Sequence, residues 1–388
     1  MTDHGEQLEA SATNGTPDGL RLNVAFWNLQ NLFDIEASPI ATDLDYTPVN
    51  GWDRRALEAK IGNIAQIIRS MFDGYGPDLL GLCEIENERL ARILIEAIGR
   101  DDFALAVDAG RSDLSSPSGE SYRALDTALI YSKRLLEPAA QGSTGHVVHR
   151  RYPTRDIFEA HFKVRANDSE LMVLVNHWPS RSADAHLSES LRISVADYCA
   201  RLIDGHLKLS RREYLQLRQT ELSLLHLNSA WDRNILLMGD FNDEPWDRSV
   251  REVLRGSYSQ HALSEPIRMV QDHLPSFRSY SAMPPTLFNP MWSLVHQPDC
   301  GTWRDPEDHQ PMKLRDQFLI SRGLYFGLQG LKLATSSPGI PAVEVFKPES
   351  LCERHGGPKA FRTDTRTGFS DHFPILTSLN IASEDAAE

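Results

Sequence analysis

Short apolar runs and helical stripes alternate along the interior of the chain. Runs rich in Val, Ile, Leu and Phe, bounded by turn residues, predict strands over 21–28, 78–84, 126–132, 159–164, 170–177, 233–240, 316–321 and 372–379. Helices are predicted over roughly 53–72, 87–98, 184–208 and 211–228. In the first, Leu57, Ile61, Ile64, Ile68 and Met71 recur at the spacing of one helix face. The second carries Leu90, Leu94 and Ala97 and stops at Gly99, a residue suited to a left-handed C-cap. Ser210 with Glu213 has the form of a capping box that opens the fourth. Residues 256–315 break the pattern. They are rich in proline and carry Phe277, Tyr280, Phe288, Trp292 and Trp303 without a period. A stretch of that length is functional or disordered, and its aromatics disfavour disorder. Residues 1–20 and 381–388 are polar and small and read as a disordered leader and a tail. The expected organisation is a single domain over 21–380, with an inserted helix at about 209–229 and a long substrate-side segment at 256–315.

The most informative pattern is what stands at the strand ends. Four runs finish on side chains able to bind a cation or a phosphate: LNVAFWN on Asn28, PDLLGLCE on Glu84, LMVLVNH on His177, and NILLMGDFN on Asp240 and Asn242. Three others are led by carboxylates: Asp126 before TALIYS, Asp316 before QFLIS, and Asp371-His372 before FPILTSL. In an antiparallel sheet the C-terminal ends of strands running one way lie beside the N-terminal ends of their neighbours. The two sets therefore converge on one sheet edge if the strands alternate in direction. Glu84, Asp126, Asp240, Asp316 and Asp371 would then share a cleft and repel one another, which calls for protons, cationic partners or a metal. Oxygen and amide donors with no cysteine favour a hard cation, Mg²⁺ or Mn²⁺. His177 and His372 suit acid, base or phosphate-donor roles near neutral pH, each oriented by Asp126 or Asp316.

Composition narrows the class. The net charge of −14 argues against a protein that coats nucleic acid electrostatically, while leaving room for an enzyme that grips phosphates locally. Four cysteines without a CxxC pair exclude a disulfide scaffold and fit a reducing, cytoplasmic setting. The N-terminus lacks a basic and an apolar region, so no signal peptide is expected, and no apolar run is long enough for a membrane helix. Local basic groups remain: His149, Arg150, Arg151 and Arg155 before one strand, and Arg181 in HWPSR. Cys83 alternates with Glu84 and should face the core.

Taken in order, AFWNLQNLFD, DLLGLCEIEN, DTALIYS, VNHWPSR, LLMGDFND, LRDQFLIS and GFSDHFPI resemble the motif series of the endonuclease/exonuclease/phosphatase superfamily, the DNase I-like metal-dependent phosphoesterases. The resemblance runs from about residue 22 to 379. It implies an α/β fold built as a four-layer sandwich: two packed, mostly antiparallel mixed sheets flanked by helices. It further implies divalent-metal-dependent hydrolysis of phosphate esters by in-line attack of water. Motif by motif, Glu84, Asn28 and Asp371 match metal positions, and Asp240 matches the residue that orients the water. Asn242 matches the phosphate holder, His372 with Asp316 the histidine at the scissile phosphate, and His177 with Asp126 a second dyad. Abasic-site endonucleases lack that second dyad, so the sequence leans away from them. Arg155 and Arg181 are candidate substrate contacts. The expected activity is a nuclease acting on nucleic acid. The alternatives are a phosphomonoesterase acting on a small molecule or lipid headgroup and, of another class, an inactive binding module.

Overall fold

The computed structural model describes residues 20–35, 46–108, 126–149, 154–181, 185–217, 223–263, 267–268, 273–297, 299–305 and 311–383. Residues 1–19 of the predicted leader, residues 384–388 of the predicted tail, and Arg150 and Arg151 lie outside them. In chain order the strands are β1 (Arg21–Leu32), β2 (Leu79–Ile85), β3 (Phe103–Leu105), β4 (Thr127–Ser132), β5 (Leu136–His146), β6 (Ile157–Val164), β7 (Glu170–His177) and β8 (Ile235–Asp240). There follow β9 (Gly256–Ser257), β10 (Leu287–Phe288), β11 (Asp316–Ile320), β12 (Leu331–Leu333), β13 (Thr335–Ser337), β14 (Ile340–Pro341), β15 (Val343–Val345) and β16 (Ile375–Ile381). The helices are α1 (Arg54–Ser70), α2 (Glu88–Ile98), α3 (Ala185–Leu207), α4 (Arg211–Leu217), α5 (Ser223–Trp231), α6 (Gln260–Leu263), α7 (Phe277–Ala282) and α8 (Arg322–Phe326).

One mixed sheet runs β12-β16-β1-β2-β4-β3, with β15 also on β16; the other runs β5-β6-β7-β8-β11-β10-β9. Alternate residues of each strand face opposite ways, and both sets are apolar on the central strands. Leu22, Val24 and Phe26 of β1 join Phe158 and Phe162 of β6, Val173 of β7 and Phe318 of β11 in the core between the sheets. The outer face of the first sheet packs Ala25, Trp27 and Leu80 on Ile61, Ile64 and Ile68 of α1 and Leu90 and Leu94 of α2. The outer face of the second packs Leu174 and Leu237 on Val195, Cys199 and Ile203 of α3. Four layers result, as expected. Asp53 caps α1 through Ala56 N–H, and Gly99 ends α2 at φ 74 in the left-handed region.

The departures from the expected elements have local causes. The strand β5 was not expected, because LEPAAQGSTGH carries Pro138, Gly142 and Gly145. It is a sheet edge with a register shift between Pro138 and Ser143, where proline and glycine are tolerated. The last strand begins at Ile375, so Asp371 and His372 lie in the loop ahead of it. Over the predicted fourth helix the described residues form α4 and α5, and residues 218–222 between them lie outside the described residues. Tyr214 of α4 and Leu227 and Trp231 of α5 form a satellite cluster with Ile267 and with Tyr280 of α7, so both helices pack against the 256–315 segment.

Parallel pairing of β7 with β8 sets Asn176 opposite Gly239 and His177 opposite Asp240. A Cβ at Gly239 would lie 2.3 Å from the Asn176 carbonyl oxygen. Gly239→Ala is therefore expected to cost about 1–3 kcal/mol through overpacking, read as a lower urea midpoint at unchanged slope.

Candidate active site

The site stands where strands of both sheets end together. Glu84, His177 and Asp240 end or nearly end β2, β7 and β8, and Asn28 stands where the β1–β2 register breaks, four residues before β1 ends; Asp126 and Asp316 stand at the starts of β4 and β11, and the Asp371-His372 pair in the loop before β16. Antiparallel pairing of β8 with β11 puts Asp316 directly opposite Asp240. All of the strand-end residues singled out in the sequence meet here, and Asn242 follows two residues beyond β8.

Asp240 is at the centre and almost wholly buried. Its Oδ1 accepts the Asn242 backbone N–H at 2.9 Å, and its Oδ2 accepts from Asn28 Nδ2 at 3.1 Å. Two histidine–carboxylate pairs approach that same Oδ2. His177 Nδ1 lies 2.8 Å from Asp126, and its Nε2 stands 3.9 Å from Asp240 Oδ2. His372 Nδ1 lies 2.8 Å from Asp316, and its Nε2 stands 3.8 Å from Asp240 Oδ2. The free nitrogen of each ring therefore points at the same small volume, with its partner carboxylate behind it.

Packing fixes these rings. Trp27, fully buried under α1, donates its indole N–H to the His372 carbonyl at 2.9 Å. Ser370 Oγ donates to the Asn28 carbonyl and accepts the His372 N–H, tying the loop before β16 to β1. Asn242 Nδ2 donates to the Trp178 carbonyl at 3.0 Å.

Charge is the dominant feature. Burial alone would lower the His372 pKa, but Asp316, Asp240 and Asp371 outweigh it and carry the imidazolium up to about 10. Asp240 is held low against burial by His372 and His177. Burial pushes Asp316 and Asp371 up, and Glu84 adds its repulsion at Asp371. The acids thus exceed the cations around them, and the donors are hard oxygens. Glu84, Asp240 and Asp371 carry oxygen donors of the type a hard divalent cation takes. Among the described residues, the group whose ligand atoms all lie within 4.8 Å of one another is Asp240, Asp316 and His372. Asp316 is bonded behind the His372 ring, however, so that group reads better as a dyad beside an acid than as a cage. Asn28 presents its amide nitrogen, not its oxygen, to Glu84 and Asp240, while its Oδ1 accepts from Gln30 N–H. In this arrangement it organises the carboxylates.

The candidate substrate arginines are both engaged. Arg155 donates to the Trp178 carbonyl and pairs with Asp126 at 3.4 Å. Arg181 donates to the Asn242 carbonyl and pairs with Asp243 and Asp247. Both are tied to the Trp178–Asn242 link, which they brace. Two groups escaped the sequence reading. Arg315, one residue before β11, lies flat on Trp303 at 3.4 Å and reaches Asn242 Oδ1 at 3.5 Å, with its charge felt by Asp240. Lys60, fully buried in α1, donates to the carbonyls of Gln30 and Asn31, both left-handed at φ 52 and 57. The Asn31 N–H in turn holds Glu84 Oε2 at 2.8 Å. Burial pulls the Lys60 ammonium down to about 7, against the pull of Asp371 and Glu84. A lysine on the apolar stripe of α1 was the available signal for it.

The model of the Endonuclease/Exonuclease/phosphatase family matches residues 23–381. The chain belongs to that family. Its members are metal-dependent phosphoesterases, and the two helix-flanked sheets are the expected sandwich. Among solved structures, the chain is similar to an endonuclease/exonuclease/phosphatase family protein from Bacteroides thetaiotaomicron, at 14% identity over 94% of this chain and 99% of that one, TM-score 0.49. It is also similar to D. rerio TDP2 complexed with a single-strand DNA product, at 13% identity over 93% and 99%, TM-score 0.48. A mannosyl-6-phosphatase from Bacteroides thetaiotaomicron matches at 14% identity over 92% and 99%, TM-score 0.48. Among curated proteins, none matches the chain. No helix among the described residues is long and apolar enough to cross a membrane.

Proposed function

We propose that the chain hydrolyses phosphodiester bonds with a divalent cation, Mg²⁺ or Mn²⁺, and that its substrate is nucleic acid. The observation that carries the reading is the pair of histidine–carboxylate dyads that both approach Asp240 Oδ2, at 3.9 Å from His177 and 3.8 Å from His372, with Glu84 Oε1 a further 3.6 Å neighbour of His177 Nε2. Diester hydrolysis needs a proton taken from water on one side of phosphorus and a proton or cation supplied to the leaving oxygen on the other. A dyad on each flank of one buried carboxylate suits that demand. We further propose that residues 21–380 act as one catalytic domain, since the site draws on β1 at one end and the loop before β16 at the other.

In this reading Asp240 aligns the attacking water and holds its proton. Asn242 and Arg315 grip the non-bridging oxygens as negative charge grows on them. His372, kept as an imidazolium by Asp316, stands at the phosphate as a donor. His177, oriented by Asp126, completes the opposite flank, and Arg155 and Arg181 fix the walls. Asn28 spaces Glu84 from Asp240. A cation held by Glu84, Asp371 and Asp240 would supply charge neutralisation at phosphorus.

The test offers the purified protein, with Mg²⁺ or Mn²⁺, plasmid DNA, single-stranded DNA, RNA, bis-p-nitrophenyl phosphate and p-nitrophenyl phosphate. Cleavage of the diester and of at least one nucleic acid is expected, with loss of turnover in EDTA and its return on adding the cation. Hydrolysis of the monoester alone would overturn the nuclease reading in favour of a phosphomonoesterase. No turnover of any substrate would leave a binding module.

A further inference from the structure

Beyond the catalytic cleft, the second sheet carries an open cavity of about 1070 Å³ at its β9–β10 edge. Arg255, Tyr258, Phe288, Asn289, Trp292 and His296 are among its walls. Its aromatic side is unusual for a surface. Tyr258 is 66% exposed and stands 5.2 Å from the Trp292 ring. Trp246, 41% exposed, meets the same ring at 5.9 Å. Trp292 buries its indole N–H with no hydrogen-bond partner, whereas a buried tryptophan usually finds one. These rings are held by one another rather than by polar anchors.

The charge at the cavity is positive in an acidic chain. Arg251 and Arg255 line it, both exposed, and neither guanidinium has an ion-pair or hydrogen-bond partner among the described residues. The acid at the same wall, Glu252, is already engaged by Arg248 at 3.2 Å. Arg255 has a left-handed backbone, φ 57, which non-glycine residues adopt at a cost. Its carbonyl is pinned by the Leu287 N–H at the β9–β10 pairing, so the fold maintains that conformation.

The cavity is also joined to the catalytic loop. Asn289 at its floor donates to Gln317 Oε1 at 2.8 Å, and Gln317 donates to the Asp243 carbonyl at 2.6 Å. Asp243 follows Asn242, and Trp246 lies three residues further on. The aromatic rings therefore lead from the end of the catalytic loop into the cavity.

We infer that this surface is a binding site for a single strand of nucleic acid, with Trp246, Trp292 and Tyr258 stacking successive bases and Arg251 and Arg255 pairing with its phosphates. Exposed rings interleaved with unpaired cations form the chemistry of a sequence-tolerant strand platform. The inference rests on the nuclease reading and names where the strand beyond the scissile phosphate lies.

The experiment measures anisotropy of a fluorescein-labelled twelve-nucleotide oligothymidylate and of a labelled thymidine dinucleotide. Both are offered to Asp240→Asn protein, so that turnover does not interfere. The longer strand is expected to bind more tightly. Adding Tyr258→Ala or Trp246→Ala should weaken the longer strand by about tenfold with little change for the dinucleotide. Adding Arg255→Gln should weaken the longer strand and flatten the dependence of its affinity on salt. All three positions are exposed, and an unchanged thermal midpoint shows that the variants are folded. Parent-like affinity in all three, in a protein that cleaves nucleic acid, overturns the cavity assignment and leaves the nuclease reading standing. Failure to bind or cleave any oligonucleotide while p-nitrophenyl phosphate is hydrolysed overturns both.

Discussion

Asp240→Asn should lower kcat on bis-p-nitrophenyl phosphate by about 10²–10⁴-fold, and it should also take some stability from the metal-free protein at neutral pH. The two halves of that expectation have different origins. Catalytically, Asp240 is the one carboxylate that both dyads face, at 3.9 Å and 3.8 Å, and Asn242 is hung from its other oxygen at 2.9 Å. An amide in its place keeps the shape but neither takes a proton from water nor offers an anionic ligand. Structurally, the same carboxylate is nearly buried, yet His372, His177 and Arg315 outweigh the cost of burial and hold its pKa below the ordinary value, so the fold favours its charged form. Removing that charge leaves His372 and Arg315 with one anion fewer. A kcat lost by orders of magnitude in protein that is still fully folded at the assay temperature identifies Asp240 as catalytic. A kcat that falls only with the folded fraction would mean that the residue serves the fold.

The same opposition explains why so much of the site was legible in the sequence. Buried carboxylates are costly, so a polar residue closing an apolar strand is a conspicuous departure from pattern. Asn28, Glu84, His177 and Asp240 each end such a run, and Asp316 begins one. Strand alternation then sufficed to expect one edge, and the β8–β11 register places Asp316 and Asp240 side by side. What stayed hidden depends on tertiary approach. Arg315 sits beside Asp316 in LRDQF, where a single cation before a strand reads as an ordinary flank; only its stacking on Trp303 turns it toward Asn242. Lys60 lies on the apolar stripe of α1, but its purpose arises from the left-handed Gln30-Asn31 turn, and no periodicity announces such a turn. β5 was obscured by its own proline and glycines, which an edge strand with a bulge accepts and a central strand would reject. The engagement of Arg181 by Asp243 and Asp247 was equally out of reach, because those partners lie on a different loop.

Asp316→Asn should change the titration of His372 before any substrate is considered. In metal-free protein the Asp316, Asp240 and Asp371 carboxylates carry the imidazolium from its ordinary 6.5 up to about 10. Asp316 is the nearest of the three, at 2.8 Å from Nδ1. Replacing its charge with an amide should bring the His372 pKa down by about 1–3 units, readable by NMR from the ring protons. The sign of the stability effect follows. A group whose pKa is raised on folding stabilises the native state fully below its unfolded value, here 6.5, and that contribution is lost as pH climbs through about 10. Metal-free wild-type protein should therefore lose part of its stability between those two values, and Asp316→Asn should lose less over the same window. Activity should suffer as well. Without the carboxylate behind it the His372 ring is held less firmly as an imidazolium donor and is less fixed in orientation, and the loss in kcat should again reach about 10²–10⁴-fold. Asp316→Glu keeps the charge and should retain the raised His372 pKa even if its longer arm displaces the ring. The Asn and Glu variants together separate the charge of Asp316 from its geometry. A His372 pKa unmoved by Asp316→Asn would place the source of the shift in Asp240 and Asp371, and the dyad would then be a hydrogen bond that orients the ring without holding its proton.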